Sequence, residues 1–357
     1  MRISGFGCYA LGFCAAFAIL AGCGNGAQSQ LAPPGTVQQS SAQSRLGAPF
    51  EGPVNTSDAA QTGVVAPHPD RGRSWMSPGA TSKDLLYISN YITSVVDVFS
   101  YPQDKLVGTL TGFDQPDGIC TDKKGDVFIV SNQNDTIVEY KHGGTSPIAT
   151  LSDPAGYPVN CSVDPTTGNL AVATIHTYSS ASGSVAIFAH AKGTPAIIYD
   201  PKITLVYFVG YDNKGNLFMD GLEPGIGFAF AELPKGKKTF SNITLKGGTI
   251  YFPGKITWDG KYVTVADQQY GGPYSGHTGI YQTTGAGGKI VGSIPLTGSG
   301  DIVDLWIYDN TVIGPVFQGS SENEVLFYKY PAGGKPTKTL KGHGLYEPIG
   351  AAVSVAQ

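Results

Sequence analysis

Eight carboxylate and amide side chains stand at the ends of strand-like runs in this chain. Asp117, Asn160, Asp301 and Glu347 precede such runs, and Asn90, Asn132, Asp220 and Asp267 follow others. Gathered in one place, oxygen donors of these types would hold a hard divalent cation such as Ca²⁺. Taken singly, Asp and Asn at strand ends satisfy loop backbone groups, which is their commoner use. Their positions shift by one or two residues from run to run, which argues against a single ring. Other chemistries lack their patterns. The histidines His68, His142, His176, His190, His277 and His343 are scattered without an H-x-x-x-H pair or a cysteine neighbour, so zinc is not expected. No Gly-x-Ser-x-Gly elbow is present for nucleophilic catalysis.

The elements that must position these residues are legible from a repeat. An aspartate opens a tight turn at Asp122, Asp164, Asp212, Asp259 and Asp309, at intervals of 42, 48, 47 and 50 residues. One supersecondary unit is therefore reused. Apolar runs flank each turn, for example Gly118 to Thr121 before Asp122 and Val127 to Val130 after it. Asp accepts hydrogen bonds from the turn backbone, and Gly or Asn supplies the positive φ that closes a hairpin in the hand of strand twist. Third runs rich in β-branched and aromatic residues follow, at Thr136 to Tyr140, Ser184 to Phe188 and Glu324 to Tyr328, and a weaker fourth comes after a Gly/Pro turn.

Four strands per unit at this period, with no helical pattern between them, predict an all-β six-bladed β-propeller over 83–357. The repeat region opens at Leu85 to Asn90 on a second strand. Pro348 to Ser354 resembles Pro116 to Thr121, so the C-terminal segment is expected to supply the missing innermost strand of the first blade. Such pairing of N- and C-terminal strands closes the ring and removes open sheet edges.

Composition agrees: Gly 49, Pro 24 and Tyr 19 suit turns and strands, and charged residues are 14% against a usual ~25%. The net charge of −4 offers no basic surface, so nucleic acid is not an expected partner, and a monomer is expected.

Residues 1–23 read as an export address. An uncharged apolar stretch follows Arg2 and ends in Leu20-Ala21-Gly22-Cys23, after which the chain turns small and polar. This tetrapeptide resembles a bacterial lipobox, which implies acylation of Cys23 and a lipid bilayer as partner. Gly24 after the cysteine implies the outer membrane in a two-membrane bacterium. Residues 24–82, rich in Ala, Gly, Ser, Gln and Pro, read as a disordered linker with too little apolar surface to offset ordering entropy. Cys8 and Cys14 leave with the signal. Cys120 and Cys161 occupy innermost strands of consecutive blades, one residue apart in register. A disulfide and two separate buried thiols are both open, and the offset argues for the second because it turns the side chains opposite ways.

The region from Asp84 to Gln357 resembles the NHL-repeat and YncE-like six-bladed propellers of bacterial exported proteins, and more distantly the gluconolactonase/senescence-marker-protein family. The carrying segments are Gly125 to Asn132, Gly168 to Ala173 and Gly215 to Asp220. The second resemblance implies a divalent metal held by one Glu, two Asn and one Asp at the channel mouth, where Glu347, Asn160 and Asp267 are comparable; Val159 and Ile349 fill other slots. Two functions are thus expected in order: a lipid-anchored envelope protein whose propeller is a non-catalytic binding or scaffold module for a protein, glycan or small molecule, and a metal-dependent lactonase-like hydrolase. The blade-five loop Gln268 to His277, with two tyrosines on a glycine-rich backbone, is a candidate recognition surface.

Overall fold

Each aspartate turn joins two antiparallel strands. A computed structural model describes residues 72–177, 182–317 and 323–357. The signal segment, Cys8, Cys14, Cys23, His68 and the linker as far as residue 71 lie outside the described residues.

Asp122 Oδ1 accepts from the amides of Lys124 and Asp126, Asp212 Oδ1 from Lys214 and Asn216, and Asp259 Oδ1 from Lys261 and Tyr262. The Asp309–Asn310 turn differs. Both residues have positive φ, 46° and 56°, so left-handed backbone itself makes the two-residue hairpin.

Six sheets of antiparallel strands result. Blade 2 is Pro116–Thr121, Val127–Ser131, Thr136–Tyr140 and Pro147–Ser152, from the axis outward. Blades 3 to 6 repeat this order, with innermost strands Pro158–Val163, Leu205–Tyr211, Ile256–Trp258 and Trp306–Tyr308. Blade 1 is completed from both ends of the described chain. Pro348–Ser354 pairs with Leu85–Asn90 as the innermost strand, with Leu85 opposite Ser354. At the rim, Trp75–Met76 adds a fifth strand on Lys105–Leu110. The chain is therefore already paired with the propeller ahead of Ser82. Gly108 permits this, because a Cβ there would lie 2.5 Å from Met76 Sδ.

The core lies between blades as a set of apolar layers. Leu85, Val96, Ile119, Ile129 and Val138 fill the space between blades 1 and 2, and Leu86, Phe99, Ile313, Val325 and Phe327 that between blades 6 and 1. Each large side chain buried there contributes about 1.5–3 kcal/mol.

Cys120 and Cys161 form a disulfide, with Cα atoms 5.7 Å apart. The one-residue offset between the two cysteines brings their side chains together instead of parting them. Opposite-pointing side chains fail to meet within one sheet, but consecutive blades stack the front of one sheet on the back of the next, so opposite directions bring them together. A bulge between Pro116 and Ile119 sets the register on the Cys120 side.

Candidate functional site at the mouth of the axis

The chain direction in each blade puts two kinds of loop at one end of the molecule: those that follow second strands and those that lead into innermost strands. This loop face carries the eight sequence candidates, and the aspartate hairpins lie on the opposite face.

The innermost strands approach closely along the axis. A Cβ on Gly350 would sit 2.4 Å from the Asp117 carbonyl oxygen, one on Gly118 2.7 Å from that of Val159, and one on Gly210 2.6 Å from that of Ile256. Inside this collar lies a charged cluster. Lys255 Nζ is 3.0 Å from Asp304 Oδ1 and 3.2 Å from Oδ2, and both side chains are at most 3% exposed. Asn160 Nδ2 donates to Asp304 Oδ2 at 3.3 Å, while Asn160 Oδ1 accepts from the Val209 amide. The Ile119 amide also donates to Asp304. Blades 2, 3, 5 and 6 thus converge on one carboxylate.

Asp117 belongs to the same cluster. Burial, then the Asp304 charge, push its pKa well above the usual carboxylate range, against the opposing pull of Lys255. Burial raises the Asp304 pKa as well, but the direct ion pair holds the ammonium to Asp304, so of the two carboxyls Asp117 is the one whose neutral form is more favoured. Ser89 ties this cluster to the ring closure, donating to the Asp117 carbonyl at 2.6 Å and accepting from the Gly350 amide at 2.8 Å.

The candidates after second strands act as clips. Asn90 donates to Asp97 Oδ2 and accepts from the Tyr346 amide. Asn132 donates to the Pro158 carbonyl. Asp220 accepts from the amides of Phe208 and Gly254, and burial raises its pKa strongly. Asp267 accepts from Tyr251, Phe252 and Gln269, and burial raises its pKa too. Each fastens the lead-in to its own or the next innermost strand. Asp301 differs: its Oδ1 is buried with no hydrogen-bond partner, and burial lifts its pKa to about 7. Glu347 sits at positive φ, 46°, with its amide bonded to Asn323 Oδ1.

The structure therefore brings Asp117 and Asn160 together and distributes the others around the rim. Of the trio Glu347, Asn160 and Asp267, Asn160 is engaged on the axis and both oxygens of Asp267 hold backbone N–H groups. Among the described residues no three His, Cys, Asp or Glu side chains form a metal-holding group.

Sequence reasoning missed Lys255 and Asp304. A signal existed: counted back from the turn aspartates, Asp117, Asn160, Lys255 and Asp304 all fall four or five positions ahead, inside or next to strands that are otherwise apolar. It also missed an aromatic rim. Tyr91 packs edge-on against Phe317 with centroids 5.9 Å apart, Tyr157 on His176 at 4.6 Å, and Tyr207 on Phe252 at 5.5 Å. Val303 packs against both the Tyr91 and the Tyr207 clusters, so the lining is continuous there. Burial and the charges of Asp117, Glu347 and Asp114 push the Tyr91 hydroxyl far up in pKa. The mouth is aromatic and acidic. In the blade-5 loop, Tyr270 packs on Tyr281 and Tyr274 is presented outward, 62% exposed.

This arrangement is that of a six-bladed β-propeller with a filled axis. No protein-family model matches the sequence, and no curated protein matches it. Solved structures share the fold. A nidogen/laminin complex structure contains a chain 12% identical, with a TM-score of 0.61, covering 77% of this chain and 99% of its own. A protein of unknown function from Bacteroides caccae is 11% identical with a TM-score of 0.56, covering 77% and 100% respectively. A functionally unknown protein from Desulfotomaculum acetoxidans gives 10%, 0.54, 76% and 99%.

Proposed function

We propose that this protein is an exported, lipid-tethered β-propeller of the NHL-repeat/YncE-like kind that acts as a non-catalytic binding module through its loop face. The observation that carries this reading is the state of the polar groups at the mouth. Lys255 and Asp304 neutralise one another on the axis with Asn160 donating to the same carboxylate, and the oxygens of Asp220 and Asp267 are taken by backbone donors. The rings that face outward on this face are Tyr199, Tyr251 and Tyr274, amphipathic side chains on a rigid scaffold, which suits recognition. The Cys120–Cys161 disulfide supports an oxidising compartment outside the cytoplasm. Cys23 is the proposed acylation site, with the outer membrane as the destination in a two-membrane bacterium.

The test is capture from envelope extract by the full chain, compared with a variant lacking Gln268 to His277 and one carrying Phe252→Ala. A partner retained by the wild type and lost from either variant is the expected result. Stoichiometric metal with chelator-sensitive hydrolysis of lactones would instead favour the hydrolase built on Glu347, Asn160 and Asp267.

A further inference from the structure

The strand Lys105–Leu110 runs from the hairpin face toward the loop face, and Trp75 pairs with Thr109 near its far end. Thr111 donates through Oγ1 to the Gly72 carbonyl at 3.1 Å and through its amide to Ser74 Oγ at 3.0 Å. The preceding chain therefore joins the propeller at the loop face. Cys23 lies 49 residues before Gly72; if those residues form the linker that the sequence predicts, their mean reach is roughly 35–40 Å.

The same face carries most of the stranded apolar surface. Eight large hydrophobic side chains are exposed among the described residues, and five of them, Trp75, Tyr199, Ile226, Tyr251 and Tyr274, stand at the loop-face end. Four of these five lie over blades 3 to 5. The projecting feature is the blade-4 hairpin of Leu217–Glu223 and Gly227–Leu233, whose turn presents Ile226 at 74% exposure. Leu205, Leu222 and Pro224 line a shallow depression beside it. In this sector Lys202, three residues after Tyr199, is exposed, and Glu223 beside the Ile226 turn is half-buried. Amphipathic aromatics around an aliphatic tip match the interfacial layer of a bilayer.

We infer that the blade 3 to 5 sector of the loop face rests on the lipid surface to which Cys23 is attached, with Ile226 and Tyr274 entering the headgroup layer. The inference builds on the tethered reading. The contact is on one side of the axis, so it tilts the propeller, and a partner that binds the blade-5 loop or Phe252 competes with the lipid surface for this sector.

The experiment uses the full mature chain with Cys23→Ser, which cannot be acylated, and vesicles of phosphatidylethanolamine and phosphatidylglycerol. The chain should co-sediment with the vesicles, and Ile226→Asp with Tyr274→Asp should weaken partitioning by about tenfold or more. The hairpin-face pair Ile148→Asp with Val291→Asp should leave it unchanged. Equal loss in both pairs, or no co-sedimentation of the unacylated chain, overturns the proposal. The intact mass of wild-type protein from cells reads acylation separately. An unacylated Cys23 with face-dependent vesicle binding would refute the tether and sustain the contact, and an acylated Cys23 without vesicle binding would do the reverse.

Discussion

The Lys255 ammonium from the edge of blade 5 contacts both carboxylate oxygens of Asp304 from blade 6, and Asn160 reaches the same carboxylate from blade 3. Lys255→Met leaves Asp304 charged and buried without its partner. The expected loss is about 3–5 kcal/mol in denaturant unfolding. The double variant Lys255→Met with Asp304→Leu should recover most of it, because paired apolar replacements avoid the orphaned charge. A double variant as unstable as the single one would show that the axis depends on the charges themselves.

Asp117 and Asp301 make stability fall with rising pH. Each has a raised folded pKa, so its contribution is complete below the unfolded carboxylate value and declines as pH climbs toward the folded one, about 7 for Asp301. The slope is at most about 1.4 kcal/mol per pH unit for one such group. Asp117→Asn keeps the shape and removes the ionisable proton. It should flatten the pH dependence between about pH 4 and neutrality, measured as denaturation midpoints across that range.

The disulfide joins positions separated by 41 residues in sequence. Cys120→Ala with Cys161→Ala should lower stability by about 2–4 kcal/mol. Reduction of the wild type should approach the same midpoint, and an unchanged midpoint would count against the bond.

Gly350→Ala drives a methyl group against the Asp117 carbonyl, 2.4 Å from the built Cβ position. The expected cost is about 1–3 kcal/mol. Deleting Pro348 to Gln357 removes the innermost strand of blade 1 outright and should abolish cooperative melting. A normal transition in that variant would refute closure through this strand.

The blades were legible because their turns use a local code. An aspartate that accepts from the amides two and four residues on, as Asp122 and Asp212 do, announces itself wherever it occurs. The closure was legible because Pro348 to Ser354 repeats a pattern found in blade 2. The site was not, because its members come from different blades at positions with no shared residue type. Lys255 and Asp304 are 49 residues apart and meet only after the ring forms. The thiol pairing was missed for a related reason: the facing surfaces of stacked blades are opposite faces, a relation between sheets that no single strand encodes.

Ser89 and Gly350 bond across a separation of 261 residues. That contact spans nearly the whole repeat, so it is among the most non-local events in folding, while every hairpin can form early from neighbours. During synthesis, no ring can exist until residue 354 has emerged from the ribosome. Before that moment the chain is a string of separate hairpins whose sheet edges are open, and the same bond that completes the cylinder is the one that seals them.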